Sequence, residues 1–392
     1  MFKIIRVSTI PLSLNVLLKG QLSYLSNNYR IIAISGKGKD LDEVAQREQV
    51  PTVAIEMQRN INIVKDLKSL WQLYRYFKKE NPHIVHSITP KAGLLSMAAG
   101  YFAGVPVRIH TFTGLVFPSK KGAFKKLLIF MDRSLCAFAT HVYPEGEGVK
   151  QDLIRYKITF KPLKVLANGN VNGINTSHFN PDAITPREKE LLSEKLGITS
   201  KDFVFVFVGR LVGDKGINEL VTAFKNLLNS NLQKLGEEQF TPKLLLVGPF
   251  ESEFDPLEPK TLQEIQDNPN ILSVGFQADV RPYFAISNVL VFPSYREGFP
   301  NVVMQAGAMG LPAIVTNING CNEIIINEIN GLIIPPKNIA KLEEAMRRVL
   351  FDEDLRNELR SEARLKIINR YKQEMVWEAI RQEYQKLIKT IE

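Results

Sequence analysis

Arg210 and Lys215 stand five residues apart in the run Gly209-Arg210-Leu211-Val212-Gly213-Asp214-Lys215-Gly216. That run leaves an apolar stretch, Phe203 to Val208, and precedes a helical pattern starting near Ile217. Two cations on a glycine-rich loop at a helix start suit a diphosphate, because glycine lets backbone N–H groups approach and the charges add to them. A second loop carries Glu297, and Gln305 follows eight residues on, within a helical stretch from about Asn301 to Met309. The N–H groups at that helix start, near Asn301 and Val302, would face an anion. A carboxylate accepts two hydroxyl protons, whereas the Gln305 amide offers one acceptor and one donor.

The second loop belongs to the run Phe292-Pro293-Ser294-Tyr295-Arg296-Glu297-Gly298-Phe299-Pro300-Asn301, which continues to Gly310-Leu311-Pro312. Its spelling resembles the E-x7-E signature of the retaining family-4 glycosyltransferases, which have the GT-B fold. The resemblance implies that Glu297 reaches the donor sugar and that the second position binds the nucleotide ribose. That second position is Gln305 here where the family has Glu, which bears on affinity more than on reaction class. By the same resemblance Gly209, Arg210 and Lys215 take the donor diphosphate, and Phe276 and Gln277 approach the base. His110, in His110-Thr111-Phe112-Thr113-Gly114, matches the family's H-x-x-x-G, whose histidine lies by the donor sugar. A core histidine with a satisfied hydrogen bond is the alternative. Glu323, in Gly320-Cys321-Asn322-Glu323, resembles a further position near the donor, or is a helix-start glutamate favoured by the dipole.

Alternating strands and helices must position these residues. In the first half the strands read Lys3–Val7, Arg30–Ile34, Thr52–Ile55, Ile84–His86, Val107–Thr111 and His141–Tyr143, with a further one at Lys164–Leu166. Helical patterns fill the intervals, the first over 14–26. Strands at Phe203–Val208, Leu244–Val247, Ile271–Val274, Val289–Phe292, Ala313–Val315 and Leu332–Ile334 continue the pattern. Such alternation makes parallel, doubly wound sheets, with ligands at the carboxyl ends of the strands. The alternation makes the class α/β; the resemblance to GT-B enzymes implies two Rossmann-like domains facing a cleft, with a last helix crossing back to the first domain. The boundaries are 1–167, an Asn- and Gly-rich crossing at 168–200, 201–372, and a helix at 373–392 whose Val376, Trp377, Ile380 and Tyr384 pack on the first domain. The Asp352-Glu353-Asp354 triplet falls between two helices and reads as a cap rather than a metal site.

With 392 residues, 45% apolar and 23% charged, the chain has the composition of a soluble two-domain protein. Its N-terminus interleaves charges with a strand, unlike a signal peptide, and no stretch reads as a membrane span. Two distant cysteines fit a reducing compartment. The net charge of +9 is unevenly shared, with 28 Lys+Arg against 15 Asp+Glu in the first 200 residues and 22 against 26 in the rest. A basic first half implies an anionic partner. No nucleic-acid-binding motif is present, so a membrane surface or a phosphorylated lipid fits better. Thr89-Pro90-Lys91-Ala92-Gly93 opens a helix with a lysine beside its start, and Lys120, Lys121, Lys125 and Lys126 interleave with apolar residues as at a membrane interface. Thr89, Lys91 and Gly114 are therefore further cleft candidates.

The resemblance thus implies an enzyme that moves a sugar, with retention, from a nucleotide diphosphate donor such as a UDP-sugar, with no cofactor and no obligatory metal. A polyprenyl-diphosphate-linked sugar at the inner face of the plasma membrane, as in capsule or O-antigen assembly, is the implied acceptor. A nucleotide-sugar epimerase of the same fold, or a non-catalytic sugar-nucleotide-binding protein suggested by Gln305, are the alternatives.

Overall fold

The computed structural model describes residues 1–58, 60–230, 240–251 and 255–391. The chain divides into two compact units, Met1–Gly173 together with the stretch from Gln373 on, and Ile174–Lys372. Each is a six-stranded parallel sheet flanked by helices, as the alternation of apolar runs and amphipathic segments requires.

In unit 1 the strands are β1 (Lys3–Val7), β2 (Arg30–Ser35), β3 (Thr52–Ala54), β4 (Ile84–Ser87), β5 (Val107–Phe112) and β6 (His141–Pro144). They lie in the order β3-β2-β1-β4-β5-β6. Strand order reverses between β1 and β4, and a crevice for ligands opens at the carboxyl ends of such a pair. Unit 2 repeats the plan with β7 (Asp202–Val208), β8 (Thr241–Val247), β9 (Ile271–Ser273), β10 (Val289–Phe292), β11 (Ala313–Thr316) and β12 (Gly331–Ile334), in the order β12-β11-β10-β7-β8-β9. Its reversal falls between β7 and β10. The loops that carry Lys215 and Glu297 leave these two strands, so the sheet itself brings them together.

The last helix, Gln373–Ile388, belongs to unit 1, where Val376, Ile380 and Tyr384 are buried in its core. Trp377 donates from Nε1 to Asn172 Oδ1 at 2.7 Å and packs against Tyr24 with ring centroids 5.4 Å apart. Tyr384 joins a buried polar network: its hydroxyl receives Arg6 Nη1 at 3.0 Å and lies 2.6 Å from His86 Nδ1. Burial holds the His86 imidazole well below its ordinary pKa, so the ring is neutral.

Two sequence expectations fail locally. The helix expected over 14–26 is two helices, Pro11–Leu17 and Gln21–Ser26. They part at Gly20, which adopts φ +81° and lies so close under Trp377 that a Cβ would stand 2.7 Å from the indole. The expected strand at Lys164–Leu166 is also absent; only Leu163 forms an isolated bridge, to Val142. Asp352 caps the helix Glu353–Arg370 by accepting from the Leu355 N–H at 2.9 Å.

Candidate functional site

At the reversal point of unit 2, Lys215 and Glu297 form an ion pair, Nζ to Oε1, with both side chains about five-sixths buried. Lys215 closes the 3-10 turn Gly213–Lys215 after β7. Its ammonium also lies 5.6 Å from the centre of the Phe292 ring at the end of β10. Ser294, fully buried, donates from Oγ to Glu297 Oε1 at 2.9 Å and so fixes the carboxylate. The Thr316 hydroxyl donates to the Ser294 carbonyl at 2.5 Å and ties β11 to the same loop. Ser294 escaped the sequence reading, although its position three residues before Glu297, in the same turn, was the available signal.

Close approach of backbones makes this arrangement possible. Gly216, at φ +73°, sits where a Cβ would come within 2.2 Å of the Pro293 carbonyl oxygen. Gly320, at φ +74°, abuts Gly298 and Phe299 on the far side of the Glu297 loop. Only glycine permits both the left-handed conformation and the contact. The helix Asn301–Ala308 then starts at Pro300 without a side-chain cap, its Asn301 and Val302 in the first turn. Gln305 is half-buried on that helix.

The remaining candidates of unit 2 differ in setting. Arg210 is half-exposed and paired with Glu251, an acidic partner on the loop after β8 that the sequence did not single out. Gly209 adopts φ +150° at the end of β7. Phe276, on the loop after β9, is 74% exposed, while Gln277 donates to the Val274 carbonyl at 2.8 Å. Glu323 accepts from the Gly320 N–H at 3.2 Å, in the geometry of the helix-start reading. Cys321, beside it, is buried and its thiol is pushed up by desolvation.

In unit 1 the carboxyl ends of β1, β4 and β5 border a cavity of about 550 Å³ that Thr89, Lys91 and Gly114 help to line. Lys91 does not offer a free charge beside the helix start, as the sequence reading supposed. It is buried, with Nζ 2.8 and 3.0 Å from the two carboxylate oxygens of Asp66 and bonded to the Asn60 carbonyl. The helix start beside it is likewise engaged, because Thr9 Oγ1 accepts from the Ala92 N–H at 3.1 Å. Sequence could not show this, since Asp66 and Thr9 lie 25 and 83 residues away from their partners. His110 is only 1% exposed, its Nδ1 2.8 Å from Ser87 Oγ and its ring edge-on to Phe112 at 4.6 Å. Desolvation lowers its pKa to about 3, which keeps the ring neutral.

The cavity wall also holds Asp132, which no sequence argument selected. Its signal was visible: on the helix Gly122–Phe138 it is flanked by Leu128, Met131, Leu135 and Cys136, an acid on an otherwise apolar face. Burial pushes its carboxyl from the ordinary 3.8 up to about 7. A folded pKa above the unfolded one means that stability is full below about pH 4 and falls as pH rises to about 7. Asp132→Asn should therefore gain little at pH 4 and progressively more toward pH 7.5, by on the order of 2–4 kcal/mol. Thermal melts across that range check it; a pH-independent difference would contradict the assignment. Among the described residues no group of three or more His, Cys, Asp or Glu side chains is placed to hold a metal ion.

Comparison with known proteins gives the site a context. The family model "Glycosyl transferases group 1" matches residues 188–366, and "Glycosyl transferase 4-like domain" matches residues 29–169. The capsular polysaccharide biosynthesis glycosyltransferase CapM of Staphylococcus aureus is 31% identical over 395 residues, covering 100% of this chain and 98% of the relative. The UDP-Gal:alpha-D-GlcNAc-diphosphoundecaprenol alpha-1,3-galactosyltransferase of Escherichia coli is 32% identical over 84% of this chain and 81% of its own. In architecture the chain is similar to Anabaena HepE, solved in complex with UDP, at TM-score 0.79 and 16% identity over 98% of this chain and 100% of that one. The two Rossmann-like units are thus those of a GT-B glycosyltransferase. Matched by both models and by CapM from end to end, the chain belongs to the group 1 glycosyl transferases.

Proposed function

We propose that this glycosyltransferase moves a sugar, with retention of anomeric configuration, from a UDP-sugar to a polyprenyl-diphosphate-linked acceptor ending in an N-acetylamino sugar. The observation that carries the donor half is the Lys215–Glu297 pair, held by Ser294 at the reversal point of unit 2. The Escherichia coli relative supports the acceptor half, since its name gives a GlcNAc-diphosphoundecaprenol acceptor and an alpha product.

In this reading the donor diphosphate lies against Lys215, Arg210, the Gly209 backbone and the first-turn N–H groups of Asn301 and Val302. Lys215 is poised rather than free: Glu297 holds the ammonium in place and shares it when the phosphate arrives. Glu297 then accepts hydrogen bonds from sugar hydroxyls, Gln305 binds the ribose through one acceptor and one donor, and the exposed Phe276 gives the base a stacking face beside Gln277. Glu323 supports the loop through Gly320. As the bond between the anomeric carbon and the β-phosphate oxygen breaks, charge grows on that oxygen, where Lys215 and the helix N–H groups stabilise it. The acceptor hydroxyl attacks from the same face and its proton passes to the leaving phosphate. The reaction as drawn runs on protein cations, so EDTA is expected to leave the rate within about twofold.

No described helix is long and apolar enough to cross a membrane. Docking to a membrane surface instead suits unit 1, where Ile63, Val64, Leu67 and Trp71 are exposed on the helix Ile63–Glu80, and Leu127 and Phe130 on the helix Gly122–Phe138. The exposed Lys65, Lys68, Lys120, Lys121 and Lys126 lie on or beside these helices, matching an anionic leaflet such as the inner face of the plasma membrane. The deciding experiment incubates the protein with UDP-sugars and a synthetic GlcNAc-diphosphopolyprenol. An α-linked disaccharide product by NMR is expected; a β-linked product overturns retention, and epimerised free donor overturns transfer.

A further inference from the structure

The cavity of unit 1 has a composition that a plain hexose would not fill well. Thr9, Ser13, Asn60 and Thr89 line one part of it, while Phe124, Leu128 and Met131 of the helix Gly122–Phe138 make an apolar side into which one unpaired carboxyl, Asp132, is set. The cation on the same wall, Lys91, is committed to Asp66. No hydrogen bond or ion pair to Asp132 forms among the described residues, and desolvation is what raises its pKa. A hydroxyl-covered ring pressed on that helix side would find one polar partner there and leave its other hydroxyls desolvated, each costing roughly 1–3 kcal/mol. An acetamido group presents the reverse pattern: a methyl for the hydrocarbon and one N–H for a carboxylate.

We propose that this cavity is the subsite for the 2-acetamido group of the acceptor's terminal sugar, with Asp132 accepting the amide N–H while Phe124, Leu128 and Met131 enclose the methyl. The inference rests on the lipid-linked acceptor reading above and names what that acceptor must carry. Position supports it, since the cavity sits at the strand-order reversal of unit 1, beside Thr9 and Thr89. About 550 Å³ leaves room for the terminal sugar ring together with its acetamido group. A half-buried carboxyl that finds no donor in the fold gains one when the amide enters, whereas a 2-hydroxyl can donate to it but leaves the methyl pocket unfilled and its own oxygen desolvated.

The test compares two synthetic diphosphopolyprenol acceptors, one ending in GlcNAc and one in glucose, on the wild type and on D132L and D132N. Wild type should favour GlcNAc at least about tenfold in kcat/KM. D132L should lose roughly tenfold or more on GlcNAc through KM, lose clearly less on glucose, and leave the donor KM unaltered. D132N keeps an acceptor oxygen and should retain most of the preference. Equal losses on both acceptors, or no loss on either, overturn the subsite. If the wild type transfers to neither, saturation-transfer NMR with the methyl glycosides of GlcNAc and glucose still decides. Acetyl-methyl contact present in wild type and lost in D132L upholds the subsite while the transfer reading fails; no such contact in wild type overturns the subsite.

Discussion

Lys215→Met is expected to lower kcat by about a hundred- to a thousandfold with the fold intact. Lys215 provides a positive charge at the place where the departing diphosphate gains negative charge, and losing one preorganised group of this kind costs roughly 3–4 kcal/mol of transition-state stabilisation. The methylene stem is kept by methionine, so the packing beside Phe292 survives. What is lost is the charge, and with it the partner of Glu297, which then stands mostly buried and unpaired save for Ser294. That uncompensated carboxylate should cost about 1–3 kcal/mol of stability, seen as a modest fall in Tm. Glu297→Gln relieves the buried charge in the double variant, so adding it to Lys215→Met should restore Tm without restoring kcat. A double variant that regained both would mean that Lys215 acts on the fold and not on the donor.

Gly216→Ala should be strongly destabilising in unit 2. The added Cβ would stand 2.2 Å from the Pro293 carbonyl oxygen and 2.9 Å from its carbon, both backbone atoms that cannot rotate aside, at a φ of +73° that alanine resists. Loops after β7 and β10 would have to part, carrying Lys215 from Glu297. A loss of at least about 3 kcal/mol follows, read as a fall of about 1 M or more in the urea midpoint. Gly122→Ala makes the control, since φ is similarly positive at +62° but nothing lies within 4 Å of the Cβ position. Its cost should stay near 1 kcal/mol.

The strands were legible because buried parallel strands are short runs of β-branched and aromatic residues, as in Phe203 to Val208, and turn signals bound them. The reversal-point loops were legible because glycines and charges cluster where such strands end. What escaped depends on contacts between residues distant in sequence. Lys91 reads as a surface lysine until Asp66 is placed against it, and the break at Gly20 needs Trp377, which arrives from the end of the chain. Nothing adjacent to His110 tells that Ser87 will meet its Nδ1 on the neighbouring strand. Asp132 was legible in its helical pattern, yet only the cavity gives that pattern a meaning.

If Lys215 meets the donor's diphosphate, titration calorimetry with UDP and with uridine will separate wild type from Lys215→Met. Wild type should bind UDP roughly thirtyfold or more tighter than uridine, as a charge-assisted contact of about 2 kcal/mol requires. In Lys215→Met most of that gap should close while uridine binding stays unchanged. Equal affinity of both proteins for UDP would contradict the assignment of unit 2 as the donor site built on this pair.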